Sequence, residues 1–467
     1  MILVMRKSVK TPESPLRLPH GIVIAALLAI PFLFWRPHLF FIVDDWTALD
    51  QMVRFPFWQY LNLTDNEQWF PFFHLIYYLL IKISGERYGV LLFVNCLGTG
   101  LNACLVYLFY RRHLSDGKAW VLSLIYAALV VHAATLYHAY NLCYLLAFGF
   151  FMAAMLLADG YLTAPSGARL AGMGICALLA LLSHSFAIMT LPAILLYGLL
   201  LKGETKGRFR PLVLVIGLVF AVFGAGYAYF AGISAASNTR PVLQLPGPGY
   251  LLYILYGGLF QPFYLLLGGS YPVRILLILP LSRLLGPVEY LKSIVTALLA
   301  AAVTLPLIFC RGDSRTKRLA LWAMFTNLLL FLLVGLVRYQ MSILQSASIR
   351  YGVFTMMGTL LLLGLAWQTL SRLQPQRLWF RLLPIAMLVW IISSQANSHP
   401  QVRDYYLNLA QATHSAYLKL DRPRQESPAS EPAEAGQQLF CPEHVLYITR
   451  SQALAIQRFL KGLPPDK

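Results

Sequence analysis

Residues 88–110 read YGVLLFVNCLGTGLNACLVYLFY and close on Arg111-Arg112. No side chain in that run is charged, and a bilayer core about 30 Å thick takes about 20 apolar residues in one helix. Lipid offers no hydrogen-bond partner, so such a run must satisfy its own amides and carbonyls by being helical. The rest of the chain has the same character. Its 467 residues are 58% hydrophobic and 12% charged, against about 25% charged in a soluble domain. Disorder and a water-soluble globule are both excluded. Comparable windows fall near 20–36, 119–136, 141–158, 169–183, 187–202, 211–231, 288–309, 318–337, 351–370 and 378–396. Two Gly- and Pro-rich segments, 250–268 and 272–286, read as a helical pair or a re-entrant turn. The expectation is an all-α polytopic integral membrane protein of about 11–13 transmembrane helices.

Lys and Arg gather in alternate connections: Arg6, Lys7, Lys10 and Arg17; Arg111, Arg112 and Lys118; Arg169; Lys202, Lys206, Arg208 and Arg210; Arg311, Arg315, Lys317 and Arg318; Arg372, Arg377 and Arg381. Basic connections stay on the cytoplasmic side. The formal charge of +18 is therefore a topology signal and gives no case for nucleic acid. It divides the chain into a cytoplasmic leader (1–19), a transmembrane domain (20–396) and an extracytoplasmic tail (397–467). Short basic inner loops without a Gly-x-x-x-x-Gly-Lys-Ser/Thr sequence leave no room for ATP-driven work, and they point to a bacterial inner (plasma) membrane. Six cysteines without a CxxC spacing suggest neither a zinc knuckle nor a disulfide framework. Chemistry is thus expected outside.

The outer segment 37–87 opens on an acid pair. Asp44 and Asp45 follow directly on Leu39-Phe40-Phe41-Ile42-Val43. Adjacent carboxylates at a membrane boundary repel and cost desolvation unless something positive or water-filled receives them. Trp46, Leu49, Val53 and Phe57 then recur at helical spacing opposite Asp50 and Arg54, the pattern of a helix lying on the outer leaflet. The pair has two readings, caps of that helix or groups that work on a ligand. Trp69-Phe70-Pro71-Phe72-Phe73-His74 opens a second short apolar stretch ending at Lys82, also expected at the interface. His74 there reads as a histidine reaching for water, or as one orienting an acid or a phosphate.

An acid pair after the first helix, interfacial helices, and a second span carrying small and Asn residues (Asn95, Leu101-Asn102-Ala103) resemble the C-type membrane glycosyltransferases. That family includes protein O-mannosyltransferases and the lipid A aminoarabinose transferase. Leu182-Ser183-His184-Ser185 with Leu191-Pro192, and later Ser348-Ile349-Arg350-Tyr351, are similar to further stretches of the family. Ser185 stands where many members carry Glu, and the outer connection 133–140 holds no acid. The resemblance therefore brings no metal ligand set. A divalent metal stays open as a cofactor, without the support of a second loop carboxylate, and no other cofactor is read from the sequence.

The resemblance implies transfer of a sugar from a polyprenyl-phosphate donor to a glycan, lipid or protein acceptor on the extracytoplasmic face. One of Asp44 and Asp45 would be the general base. Arg350 with Tyr351 would meet the donor phosphate, followed by Arg338 and Arg240. Interface anchoring is the plainer role for those residues. His74, His132, His138, Asn141 and His184 are the candidate substrate-binding residues; for each, a buried or interfacial hydrogen-bonded role competes. The tail predicts a helix over 403–420, a Pro/Glu/Ala-rich linker over 426–437, a strand near 445–448 and a helix over 453–460, together too short for a large core. A lipid-linked glycan flippase and a non-catalytic membrane scaffold are the competing functions. The flippase predicts charges near mid-membrane, and most of the expected spans have none there.

Overall fold

Apolar runs without water have one local solution, and the chain adopts it almost everywhere. The structure, a computed structural model, describes residues 39–42, 44–65, 68–201, 206–233, 247–267, 289–338, 351–373, 378–419 and 450–463. Expectations for the 20–36 and 272–286 spans, Arg240, Arg350, the 426–437 linker and the 445–448 strand fall outside these residues, as does the Arg338 side chain. Among the described residues the β-structure is one antiparallel pair, Thr64–Asp65 with Gln68–Trp69, with Thr64 opposite Trp69.

Five described helices are long and apolar enough to cross a membrane: Tyr88–Tyr110, Ala139–Thr163, Gly207–Phe230, Ser314–Leu336 and Gly352–Leu373. The pair Asp116–Ala128 and Val130–Tyr137, bent by 44°, is apolar enough to be a sixth, as a broken span or a re-entrant turn. Apart from that strand pair the regular elements among the described residues are helices, and the chain is a helical membrane protein. Its other apolar runs depart from a straight-span reading. Gly167–Ser183 has 17 residues and reaches about 25 Å at 1.5 Å per residue, because His184 turns to extended backbone (φ −167°, ψ 137°) and a 3₁₀ turn, Ser185–Met189, follows. Residues 250–268 form Pro248–Leu255, a π turn over Tyr256–Phe260, and Gln261–Leu267. There the Phe331 ring presses on Gly257. The expected 378–396 span and 403–420 tail helix are a single element, Leu378–Lys419, of 42 residues. At about 63 Å it outruns any bilayer core.

Burial ranks the helices. In Gly352–Leu373, 89% of the most apolar window is enclosed by protein, against 22% in Gly207–Phe230, so the first is central and the second faces lipid. Small and amide side chains allow close approach. The Asn102 Nδ2 donates to the Leu145 carbonyl at 3.0 Å, and a Cβ on Gly149 would sit 2.7 Å from the Asn102 Oδ1.

The two ends of the bundle differ in chemistry. One gathers the basic connections. The Arg112 Nη1 meets Asp159 Oδ2 at 2.7 Å, and Tyr197 donates to Asp159 Oδ1 at 2.7 Å. Arg169 and Arg208 donate to the last carbonyls of the Leu142–Thr163 helix, where cations suit the helix dipole. Arg372 pairs with Asp313, and Lys118 donates to Ser371. The opposite end carries the acid pair, the 130–141 turn, His184 and Tyr351. Of the basic residues read from the sequence, Arg112, Lys118, Arg169, Arg208, Arg315 and Arg372 thus share one end.

Candidate functional site

The Asp44–Arg54 helix begins with both acids in its first turn. Successive helix residues are turned by about 100°, so the two carboxylates face different surroundings. Asp45 points inward and is fully buried. Its Oδ1 accepts from the Tyr77 hydroxyl at 2.7 Å and the Tyr140 amide at 2.9 Å. Its Oδ2 accepts from the Ile42 amide at 3.0 Å and the Tyr88 hydroxyl at 2.9 Å. The Asp45 amide in turn donates to the Ile42 carbonyl at 2.8 Å, so the chain enters the helix through a reciprocal pair. Burial pushes the carboxyl up from its usual range; His138, the Ile42 amide, Tyr77 and Tyr88 pull it back. The shell decides the state. Both backbone partners can only donate, and four donors on two oxygens match the ionised carboxylate.

The donors come from separate segments: Tyr77 from the Pro71–Ser84 helix, Tyr88 from the first turn of Tyr88–Tyr110, and Tyr140 from the 3₁₀ turn Ala139–Asn141. Tyr88 also accepts from the Ala139 amide at 3.0 Å. Asn95 stitches the same turn from below, its Nδ2 donating to the Thr135 and His138 carbonyls at 2.6 and 3.1 Å. His138 lies against the carboxylate, with Nε2 3.8 Å from Asp45 Oδ2.

Asp44 is half-buried, and among the described residues no hydrogen bond or ion pair holds it. The capping role therefore falls to Asp45, which reaches back to Ile42, and Asp44 makes no such bond among the described residues.

The other sequence-selected residues meet around an aromatic seam. His74 is fully buried, its Nδ1 3.3 Å from the Leu61 carbonyl and its ring among Tyr60, Phe70 and Phe73. Burial pushes it down to about 4. A histidine reaching for water is thus corrected to one held neutral in a closed nest, because the Phe57–Leu61 helix folds over it. His184 accepts the Phe186 amide at Nδ1 (3.1 Å) and packs on Tyr144 and Phe186, both at 4.3 Å. The Phe70 ring stacks 6.1 Å from His184, and Phe186 lies 4.7 Å from Tyr351. The seam thus joins the 37–87 segment to the start of the Gly352–Leu373 helix. Tyr351 is buried against Phe186 and Phe331, so its ring serves packing. His132 is buried edge-on to Tyr126 at 4.8 Å, and Asn141 is buried beside the cradle. These two side chains face protein.

The interfacial helix also differs from expectation. Trp46, Ala48, Leu49 and Met52 are buried in the protein because the end of the chain covers them. Pro56 ends the helix before Phe57, which starts the next one. Sequence reasoning missed the three cradle tyrosines. Their signal was weak: Tyr77 stands mid-helix beside Tyr78, Tyr88 opens a helix and Tyr140 lies in a short turn, and packing or interface anchoring explains each equally well. Among the described residues no group of three or more His, Cys, Asp or Glu side chains is arranged to hold a metal ion. No protein-family model matches the chain, and no curated protein matches it in sequence.

Proposed function

We propose that this protein is a C-type membrane glycosyltransferase. It moves a sugar from a polyprenyl-phosphate carrier to a glycan, lipid or protein acceptor on the extracytoplasmic face of a bacterial inner membrane, with its N-terminus in the cytoplasm. The supporting observation is the division of the acid pair: Asp45 spent entirely on four internal donors, Asp44 beside it half-buried and without a hydrogen bond or ion pair among the described residues. A base must be able to take a proton from an incoming group. Asp45 has no lone pair to spare, so Asp44 is the base and Asp45 its anchor.

The step balances without a cofactor. The acceptor oxygen or nitrogen attacks the anomeric carbon from the face opposite the phosphate, and Asp44 takes its proton. The bond from that carbon to the phosphate oxygen breaks through an oxocarbenium-like state, and the lipid phosphate leaves with the electron pair. Inversion follows from the single displacement. The departing phosphate gains charge and calls for a planar donor fork. Arg350, directly before the anchored Tyr351, is the residue proposed for it.

The test is a mass-spectrometric comparison of surface glycans and glycolipids from cells carrying the parent chain, Asp44→Asn, or no gene. A species present with the parent, missing without the gene and missing with Asp44→Asn, at equal protein level, supports the transferase. A scaffold would tolerate Asp44→Asn. A flippase would move labelled lipid-linked sugar across vesicles that contain no acceptor.

A further inference from the structure

The last segment of the chain returns to the acid-bearing helix. Arg450–Leu460 is helical, and Ala453, Ile456, Gln457 and Leu460 form its buried stripe. That helix packs along Asp44–Arg54. Phe459 lies under Lys82 at 4.0 Å. The Leu460 carbonyl comes so close to Gly85 that a Cβ there would stand 2.8 Å away, and Gly85 holds a left-handed φ of 53°. Both features restrict the position to glycine.

A second tail element reaches the same turn. Near the end of Leu378–Lys419, Tyr417 donates to Glu86. Its ring lies 5.0 Å from Phe40 and 5.9 Å from Trp46, and His414 stacks on Phe40 at 4.5 Å. Phe40 and Trp46, before and within the first turn of the acid helix, are therefore held by Tyr417 and His414, and the helix itself packs on Arg450–Leu460. An isolated helix of 11 residues is marginal in water, so docking is what orders it. With the helix docked, Asp44 remains half-open. A cover that left the acid accessible would make a poor lid and a good brace.

We infer that the C-terminal helix Arg450–Leu460 is a positioning brace for the Asp44–Arg54 helix, with Ile456, Phe459, Leu460 and Gly85 as its positioning residues. Its consequence for catalysis rests on the transferase reading above; its effect on the helix does not.

Hydrogen–deuterium exchange on the full chain in detergent micelles tests the brace. Ile456→Asp, which puts a charge into the stripe, should speed exchange of the amides at 49–54 about tenfold or more, with Tyr88–Tyr110 unchanged. Gly85→Val, which pushes the Leu460 carbonyl away from the opposite side, should give the same signature. Ile456→Leu should behave as the parent. In cells, Ile456→Asp and Gly85→Val should lower the gene-dependent glycan species about tenfold or more, and Ile456→Leu should keep it. Unchanged exchange at 49–54 in both disruptive variants overturns the brace. Faster exchange with undiminished product overturns its positioning role. Faster exchange in a chain whose parent makes no product overturns the transferase and leaves the brace standing.

Discussion

Replacing Asp45 by Asn changes one atom and removes one charge, and the structure sets what that should cost. An amide offers one acceptor oxygen and one NH₂ group. Whichever way it turns, one oxygen site, now an NH₂, faces a tyrosine hydroxyl and a backbone amide: Tyr77 with Tyr140, or Tyr88 with Ile42. The hydroxyl can rotate and present a lone pair. The backbone amide cannot, and a buried amide without an acceptor costs about 1–3 kcal/mol. The remaining bonds lose the strength of a charged acceptor, at about 1 kcal/mol each. The sum is about 3–6 kcal/mol, large against the usual margin of folding.

The assay is thermal unfolding of the full chain in detergent, followed by tryptophan fluorescence. Asp45→Asn should melt several degrees below the parent, and Tyr77→Phe and Tyr88→Phe by less, each removing one donor. In a double-mutant cycle, Tyr77→Phe should cost markedly less when Asp45 is already Asn, since the bond it deletes is then weakened. If Asp45→Asn melts with the parent and the cycle is additive, the carboxyl does not act as a shared anion. The assignment of base to Asp44 by exclusion then fails.

The neighbouring acid should behave in the opposite way: Asp44→Asn should leave the melting temperature within about 1 °C of the parent, while the gene-dependent glycan falls by about a hundredfold or more. His74 provides a pH signature. Its folded value of about 4 lies below the ordinary 6.5, so the unfolded chain binds more protons between those values. The stability is fully present above pH 6.5 and is lost as pH falls toward 4, on the order of 3 kcal/mol. Melting temperatures between pH 7.5 and 4.5 should slope downward in the parent, and His74→Leu should flatten that part of the slope. Asp313 accepts the Thr316 amide at 2.7 Å ahead of the Ser314–Arg338 helix, and that bond holds its carboxyl below the usual range. Asp313→Ala should cost about 1 kcal/mol in a melt at pH 7. The difference from the parent should shrink below pH 4, where the carboxyl takes up its proton in either state.

Much of the frame is legible along one dimension. Uncharged runs such as 88–110 and 351–370 become helices wherever a neighbour supplies no competing bond, and arginines such as Arg112 and Arg372 mark a shared end. Interruptions were harder to see. The windows 169–183 and 187–202 place one break where the structure has it, but nothing in Ser183-His184-Ser185 announces its cause, the His184 ring nitrogen taking the Phe186 amide. The amphipathic stripe of residues 46–53 was legible as apolar, but its partner was not. A lipid surface and Arg450–Leu460, some four hundred residues away, make the same demand on sequence. His74 looks amphipathic until Leu61 and Phe70 close over it.

The acid pair was visible as a pair and undecidable as individuals, and the reason is geometric. Two adjacent residues have the same composition, hydropathy and distance from the membrane run. They are told apart by the 100° between them and by what distant segments bring to each side. Tyr77 and Tyr88 follow within one outer segment, but Tyr140 arrives only after two further helices have crossed, and it supplies a backbone amide, to which any side chain at 140 would be indifferent. A site of this kind uses one acid as ballast. A carboxylate held by four donors fixes where its helix starts, and the next carboxylate along inherits a defined position without a hydrogen bond or ion pair of its own among the described residues. A single aspartate could be well placed or free to react, but in a buried shell of four donors it could not be both.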